Sequence, residues 1–65
     1  MFIHTNQVKL AVNTIGGPTK TSNLVGVSNG AVHAWIKAQR IANIDYAKKV
    51  AAAAGMQVND LRGLS

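Results

Sequence analysis

The sequence predicts an all-α protein, a compact bundle of about five short helices that forms one domain over residues 1–65. Apolar residues recur at intervals of three and four in separate stretches, which is typical of amphipathic helices. Glycines stand where these stretches end, and no stretch alternates convincingly between apolar and polar residues as a strand would. A chain of 65 residues has the size of a single small domain.

The first helix is expected to run from His4 to Ile15, with Thr5 or Asn6 as its N-cap. Its apolar face carries Val8, Ala11, Val12 and Ile15. The pair Gly16-Gly17 should end it, because glycine accepts the left-handed conformation common at helix C-termini.

The second and third helices follow at once. Pro18 suits the first position of a helix that reaches about Val25. Its inward residues are expected to be Thr21 or Ser22, with Leu24 and Val25. Gly26 breaks it, and Ser28 is the predicted N-cap of a third helix over about 29–38. The inward residues of the third helix should be Val32, Trp35 and Ile36.

The fourth helix is expected over 44–54, with Asn43 as its N-cap and Gly55 closing it. Its predicted buried stripe consists of Ile44, Ala47, Val50, Ala51 and Ala54. A last helical turn over 59–62, ended by Gly63, completes the predicted bundle.

The charge balance is strongly basic. Seven Lys and Arg face two Asp and no Glu, and the first acidic residue is Asp45. Such a surface attracts polyanions, although a generic basic domain has the same charge. The chain lacks cysteine, which excludes disulfides, thiolate zinc sites and thiol catalysis. No apolar run long enough for a membrane span and no signal-peptide pattern occur, so we expect a cytoplasmic protein.

The sequence contains no motif that favours catalysis or the binding of a cofactor. The segment 16–21 lacks the glycine that precedes the lysine of a phosphate-binding loop, and Pro18 removes a donor N–H from it. The possible metal ligands His4, His33, Asp45 and Asp60 have no spacing that favours a site. Ser28 and His33 alone do not supply the nucleophile, base and orienting group that hydrolytic catalysis needs. We therefore expect a non-enzyme with no cofactor, no metal and no small-molecule substrate.

Residues 17–36 contain the parts of a helix-turn-helix. A small residue, Ser22, lies four positions before Gly26, where two helices would cross closely. Val27, Val32 and Trp35 would lock the second helix of the motif against the first. The outward face of the helix after Ser28 would then be free to enter a major groove.

The same stretch resembles the helix-turn-helix of phage Cro proteins. The resemblance lies in Thr19-Lys20-Thr21, Leu24, Gly26-Val27, Ala31-Val32 and Ile36, while 40–47 and 55–62 are similar to the all-helical Cro and YdaS-type prophage regulators. The chain differs from the family pattern at Pro18 (usually Gln), at Ser22 (usually Ala), near Ala38-Gln39 (usually with a glycine) and at Ala42 (often proline). The resemblance implies a lambda-repressor-like fold with its motif over about 18–37. It also implies a repressor that binds a pseudo-palindromic operator in double-stranded DNA as a homodimer, in the bacterial cytosol or in a phage-infected host.

Carried over by motif position, the base-contacting residues would be Ser28, Asn29, Gly30, His33 and Ala34. The phosphate-contacting residues would be Thr19, Lys20, Lys37, Arg40 and Asn43. The chemistry of these side chains agrees. Asn29 can pair with adenine or reach a phosphate, His33 can donate to guanine or to a phosphate, and Arg40 can reach a phosphate or a base. Ala34 can touch a thymine methyl group, and the small Gly30 allows a deep approach.

Two other functions stay open. The chain could be a protein-interaction module, such as the antitoxin of a toxin pair or a phage protein that acts on a host factor. It could also be an architectural or excision factor that bends DNA without strong specificity. The surface for a homodimer is equally open, between the alanine face of the fourth helix and the tail 56–65.

Overall fold

A computed structural model of the chain describes residues 6–62, and within that range it contains five helices and no strand. In chain order these are α1 (Gln7–Ile15), α2 (Pro18–Val25), α3 (Asn29–Ala38), α4 (Ile44–Ala54) and α5 (Val58–Leu61). The all-α prediction is confirmed, as are the predicted bounds of the second, third and fourth helices. None of the helices between residues 6 and 62 has the length and apolarity needed to cross a bilayer.

Side-chain caps and glycines set these bounds. Asn6, Ser28 and Asn43 have extended backbones, and each accepts hydrogen bonds with its side chain from backbone N–H groups in the first turn of the following helix. Gly26 and Gly55 end α2 and α4 in the left-handed conformation. The helix ends are therefore determined by residues close in sequence, which is why the sequence could place them.

One apolar core joins all five helices. Its buried members are Val8, Ala11, Val12, Val25, Val32, Ile41, Ala47, Val50, Ala51 and Leu61. Helix α1 packs against α4, α2 packs against α3, and α5 closes the bundle against α4 and α1. The rings of Trp35 and Tyr46, with centroids 5.8 Å apart, pack at the edge of this core between α3 and α4.

The first and last helices differ from their predicted bounds. Asn6 is an extended cap, so α1 begins at Gln7 and not at His4; His4 and Thr5 lie outside the described residues. The last helix occupies 58–61 instead of 59–62. It begins one residue earlier because Gln57 is its N-cap. The Asp60 carboxylate accepts a hydrogen bond from the backbone N–H of Gln57, 3.3 Å away. Gly63, the predicted end, lies outside the described residues.

Two residues predicted to be buried lie on the surface. Leu24 is 49% exposed and Ile44 is 45% exposed. The buried face of α2 is formed by Thr21, Ser22 and Val25, and at 100° per residue Leu24 points about 110° away from its centre. Ile44 is the first residue of α4 and lies about 70° from the centre of its buried stripe, where the neighbouring helices no longer cover it.

Candidate nucleic-acid interface

A tight turn fixes α3 against α2. Gly26 has φ 86°, a backbone conformation that favours glycine, and its N–H donates to the carbonyl of Ser22 at 2.8 Å. The N–H of Val27 donates to the same carbonyl at 3.0 Å. Val27 and Trp35 are half-buried against the core and Val32 is fully buried, as predicted. These contacts leave the opposite side of α3 in solvent.

The outward face of α3 combines two small residues with two polar ones. Gly30, His33, Ala34 and Lys37 are all exposed, and at helical spacing they fall within an arc of about 100°. Helix α3 contains no acidic residue, and it carries Lys37 in its last turn. The predicted base-contacting residues on α3 are thus accessible, and Ser28, also exposed, caps the helix with its hydroxyl 3.2 Å from the N–H of Ala31.

Gly30 has no reason within the described fold to be a glycine. Its φ is not positive, and a Cβ added there would meet only the Ser28 hydroxyl, at an ordinary 3.7 Å. A glycine in a helix interior costs about 1 kcal/mol relative to alanine, which is the upper limit for Gly30 as the second residue of α3. The residue therefore weakens α3 without serving the turn or the packing. Together with Ala34 it leaves a shallow strip that another surface can approach closely.

Asn29 is exposed, as expected, but its side chain is tied to α2. Its Oδ1 lies 2.7 Å from the hydroxyl of Ser22, and its Nδ2 lies 3.3 Å from the hydroxyl of Thr19. At 100° per residue Asn29 lies on the flank of α3 that faces α2, beside the outward strip. The structure thus brings a predicted base contact and a predicted phosphate contact together through Ser22.

The start of α2 is an open set of donors. Its N-cap is Gly17, which has no side chain to cap the helix, and Pro18 carries no N–H. The N–H groups of Thr19 and Lys20 come next and have no helical acceptor, at the positive end of the helix dipole. Both residues are exposed, and the methylenes of Lys20 lie along Gly16. This arrangement suits an anion.

The other predicted phosphate contacts are more scattered. Lys37, Arg40 and Asn43 are exposed at the end of α3, in the following loop and at the start of α4. The Asn43 Oδ1 is occupied by the N–H groups of Asp45 and Tyr46, at 2.9 and 3.2 Å. The Asp45 carboxylate lies in the same turn and opposes an anion there. No hydrogen bond among residues 6–62 links the side chain of Arg40 or Asn43 to α3.

Sequence reasoning missed the polar role of Ser22. It predicted Ser22 only as a small residue at a helix crossing, whereas its hydroxyl contacts both Asn29 and the carbonyl of Thr19, 2.8 Å away. The sequence did indicate that Ser22 lies near Thr19, since the two are three residues apart and share a face of α2. This hydroxyl belongs to a position where the Cro-like pattern that the sequence resembles usually has alanine.

The described residues hold no group of three or more His, Asp, Glu or Cys side chains that could bind a metal ion. In the comparisons with known proteins, no family model matches this chain, and no curated protein and no solved structure matches it. The functional interpretation therefore depends on the geometry and chemistry of α2 and α3.

Proposed function

We propose that this protein is a sequence-specific DNA-binding transcription regulator, a Cro-like repressor of phage or prophage origin that acts in the bacterial cytosol. Helices α2 and α3 would form its helix-turn-helix, with α3 lying in the major groove. The observation that carries the proposal is the outward face of α3, which is exposed and free of acidic residues and includes the small residues Gly30 and Ala34.

The sizes fit this role. The major groove is about 12 Å wide, and a helix with its side chains measures about 10–12 Å. Small residues on the inserted face let the helix axis come closer to the base edges, which accounts for a glycine that the fold does not need. His33 and Asn29 lie on one side of the strip and are long enough to donate hydrogen bonds to purine acceptors. The Ala34 methyl group suits a thymine methyl.

Phosphate contacts would hold both ends of α3 on the duplex. The free N–H groups of Thr19 and Lys20, with the Lys20 ammonium, suit a phosphate at one end, and Lys37 with Arg40 suits the other. The three cationic side chains among these contacts give a log–log dependence of affinity on salt with a slope of roughly −2.7 per subunit. One short helix reads few base pairs, so we expect two chains on a pseudo-palindromic site.

A matched pair of leucine substitutions tests the proposal. Ala34 on α3 and Ala52 on α4 are both exposed helical alanines, and leucine is nearly as good a helix former as alanine. Ala34→Leu fills the strip and should weaken binding to a duplex selected from a random-sequence pool by about tenfold, or about 1.4 kcal/mol. Ala52→Leu should leave the affinity of each chain unchanged; because the alanine face of α4 is a candidate homodimer surface, sedimentation of this variant shows whether any loss comes from fewer chains per duplex.

The measurement is a fluorescence-anisotropy titration at several salt concentrations, with sedimentation of the complexes to count the chains per duplex. Equal affinities for the two variants, a flat salt response or one chain per selected duplex would contradict the corresponding part of the proposal. Equal affinity of the unaltered chain for the selected and the random duplexes would indicate an architectural factor instead of a specific regulator.

Exposed apolar side chains favour a second candidate function, the binding of another protein. Leu10, Leu24 and Ile44, on α1, α2 and α4, are each about half exposed. An antitoxin or a phage protein that acts on a host factor would use such residues. This function predicts that no duplex is enriched from the random pool and that Ala34→Leu changes nothing in the titration.

A further inference from the structure

We infer that Ser22 contributes to base specificity without touching DNA, because its hydroxyl stabilises one orientation of the Asn29 amide. The inference rests on the proposed function. Ser22 is only 4% exposed and lies where α2 crosses the start of α3. Its Oγ is 2.7 Å from Asn29 Oδ1 and 2.8 Å from the carbonyl oxygen of Thr19. It is a positioning residue, since a duplex in contact with α3 would not reach it.

The hydrogen bonds that join Thr19, Ser22 and Asn29 are limited by the number of hydrogens that their side chains carry. A hydroxyl has one hydrogen, so Ser22 donates either to Asn29 Oδ1 or to the Thr19 carbonyl, and not to both. With the Asn29 amide turned by 180°, Nδ2 would donate to Ser22, and Thr19 Oγ1 would donate to Oδ1. The same heavy-atom positions therefore accommodate the amide in two orientations while the protein is free.

A phosphate on Thr19 removes one of these orientations. When the Thr19 hydroxyl donates its hydrogen to a phosphate, its oxygen can only accept within the network, so Asn29 Nδ2 must face it at the observed 3.3 Å. Asn29 Oδ1 then faces Ser22, whose hydrogen it receives. The backbone contact made by α2 thus decides which way the amide on α3 points, and Ser22 supplies the donor that this orientation needs.

The orientation matters because adenine presents N7 as an acceptor and N6 as a donor in a fixed order in the major groove. An amide held one way matches that order with its remaining donor and acceptor, and the turned amide places like groups against each other. A fixed orientation thus favours one base pair over the others. Without the Ser22 hydroxyl, only the longer bond to Thr19 opposes the turned amide, so the turned orientation costs less and other bases are accepted more easily.

The test is Ser22→Ala, Asn29→Ala and the double variant, each titrated against the selected duplex, its single-base-pair variants and the random pool. Ser22→Ala should lower discrimination at one base pair by about tenfold and leave affinity for the random pool unchanged. The double variant should lose no more discrimination than Asn29→Ala alone, because Ser22 acts through Asn29. Discrimination unchanged by Ser22→Ala, or additive losses, would overturn the inference.

The control is Thr21→Val, which removes another buried hydroxyl from α2, one that bonds only its own helix at the Gly17 carbonyl. It should leave base discrimination intact. In the free chain, the side-chain amide resonances of Asn29 should shift in Ser22→Ala and stay in place in Thr21→Val; unshifted resonances in Ser22→Ala would also overturn the inference. If the unaltered chain prefers no duplex, the proposed function and the inference both fail. If it discriminates and Ser22→Ala discriminates equally, only the inference fails.

Discussion

The two ends of α3 are held in different ways. At its start, the hydrogen bonds come from nearby in the sequence: the turn at Gly26, the cap at Ser28, and the bond between Ser22 and Asn29, seven residues apart. At its end, local hydrogen bonds are joined by bonds from far away. The Asn6 amide donates to the Ile36 carbonyl across 30 residues, at 2.8 Å, and the loop after α3 is tied to the last helix of the bundle.

This difference separates the site from the scaffold. Contacts at the start of α3 are polar and partly in solvent, so changes there should alter what the helix presents more than whether the chain folds. Contacts beyond its end include Ile41, which is fully buried and donates its backbone N–H to the Leu61 carbonyl at 2.6 Å. Changes there should reduce the global stability, because they disturb the core that all five helices share.

The largest effect is expected from Ile41→Ala. Removing a fully buried isoleucine typically costs about 2–5 kcal/mol of unfolding free energy, a large part of the stability of so small a domain. Ile44→Ala is the matched control, because Ile44 is 45% exposed and should cost less than about 1 kcal/mol. Denaturant unfolding followed by circular dichroism measures both. Similar losses for the two variants would mean that the segment beyond the end of α3 is not held by the burial of Ile41.

A smaller effect is expected from Asn6, which caps α1 through Lys9 and also reaches α3. Asn6→Ala should cost about 2 kcal/mol, the sum of a lost cap and a lost hydrogen bond. The Ile36 carbonyl stays paired with the N–H of Gln39, so no orphaned acceptor adds to this cost.

Asn6→Ser separates the two contributions to this cost. Serine keeps a capping oxygen but is too short to reach α3, so about half of the loss should return. The same unfolding measurements apply. If serine recovers all of the stability, the contact across 30 residues contributes nothing and the end of α3 does not depend on it.

The same contrast explains what the sequence could predict. Caps and helix-ending glycines act over three or four residues, so Ser28, Asn43 and Gly26 could be placed from the sequence and α2, α3 and α4 received their correct bounds. Periodicity shows which residues share a face but not how far a neighbouring helix extends, and for that reason Leu24 and Ile44 were wrongly expected to be buried.

Side-chain hydrogen bonds between helices could not be predicted from the sequence. The bond from Asn6 to α3 depends on the packing of the whole bundle, and no local pattern signals it. The bond between Ser22 and Asn29 depends on the crossing of α2 and α3. The candidate site was therefore predicted as a set of exposed residues, and the network that orients one of them emerged only from the structure.

The smallest effect is expected at Gln39, where the two ends of α3 can be compared directly. Both α2 and α3 end in the left-handed conformation, but the residue is Gly26 after α2 and Gln39, with φ 60°, after α3. A non-glycine residue there costs about 1–2 kcal/mol, and the greater entropy of glycine in the unfolded chain offsets part of any gain. Gln39→Gly should thus stabilise the fold by roughly 0.5 kcal/mol and raise Tm by about 2–4 °C.

Ala38→Gly, one residue earlier and still helical, should lower Tm instead, because glycine there gains no relief from strain and weakens the helix. Equal shifts of the same sign would mean that the end of α3 stores no strain and that its two ends differ only in the distance of their contacts.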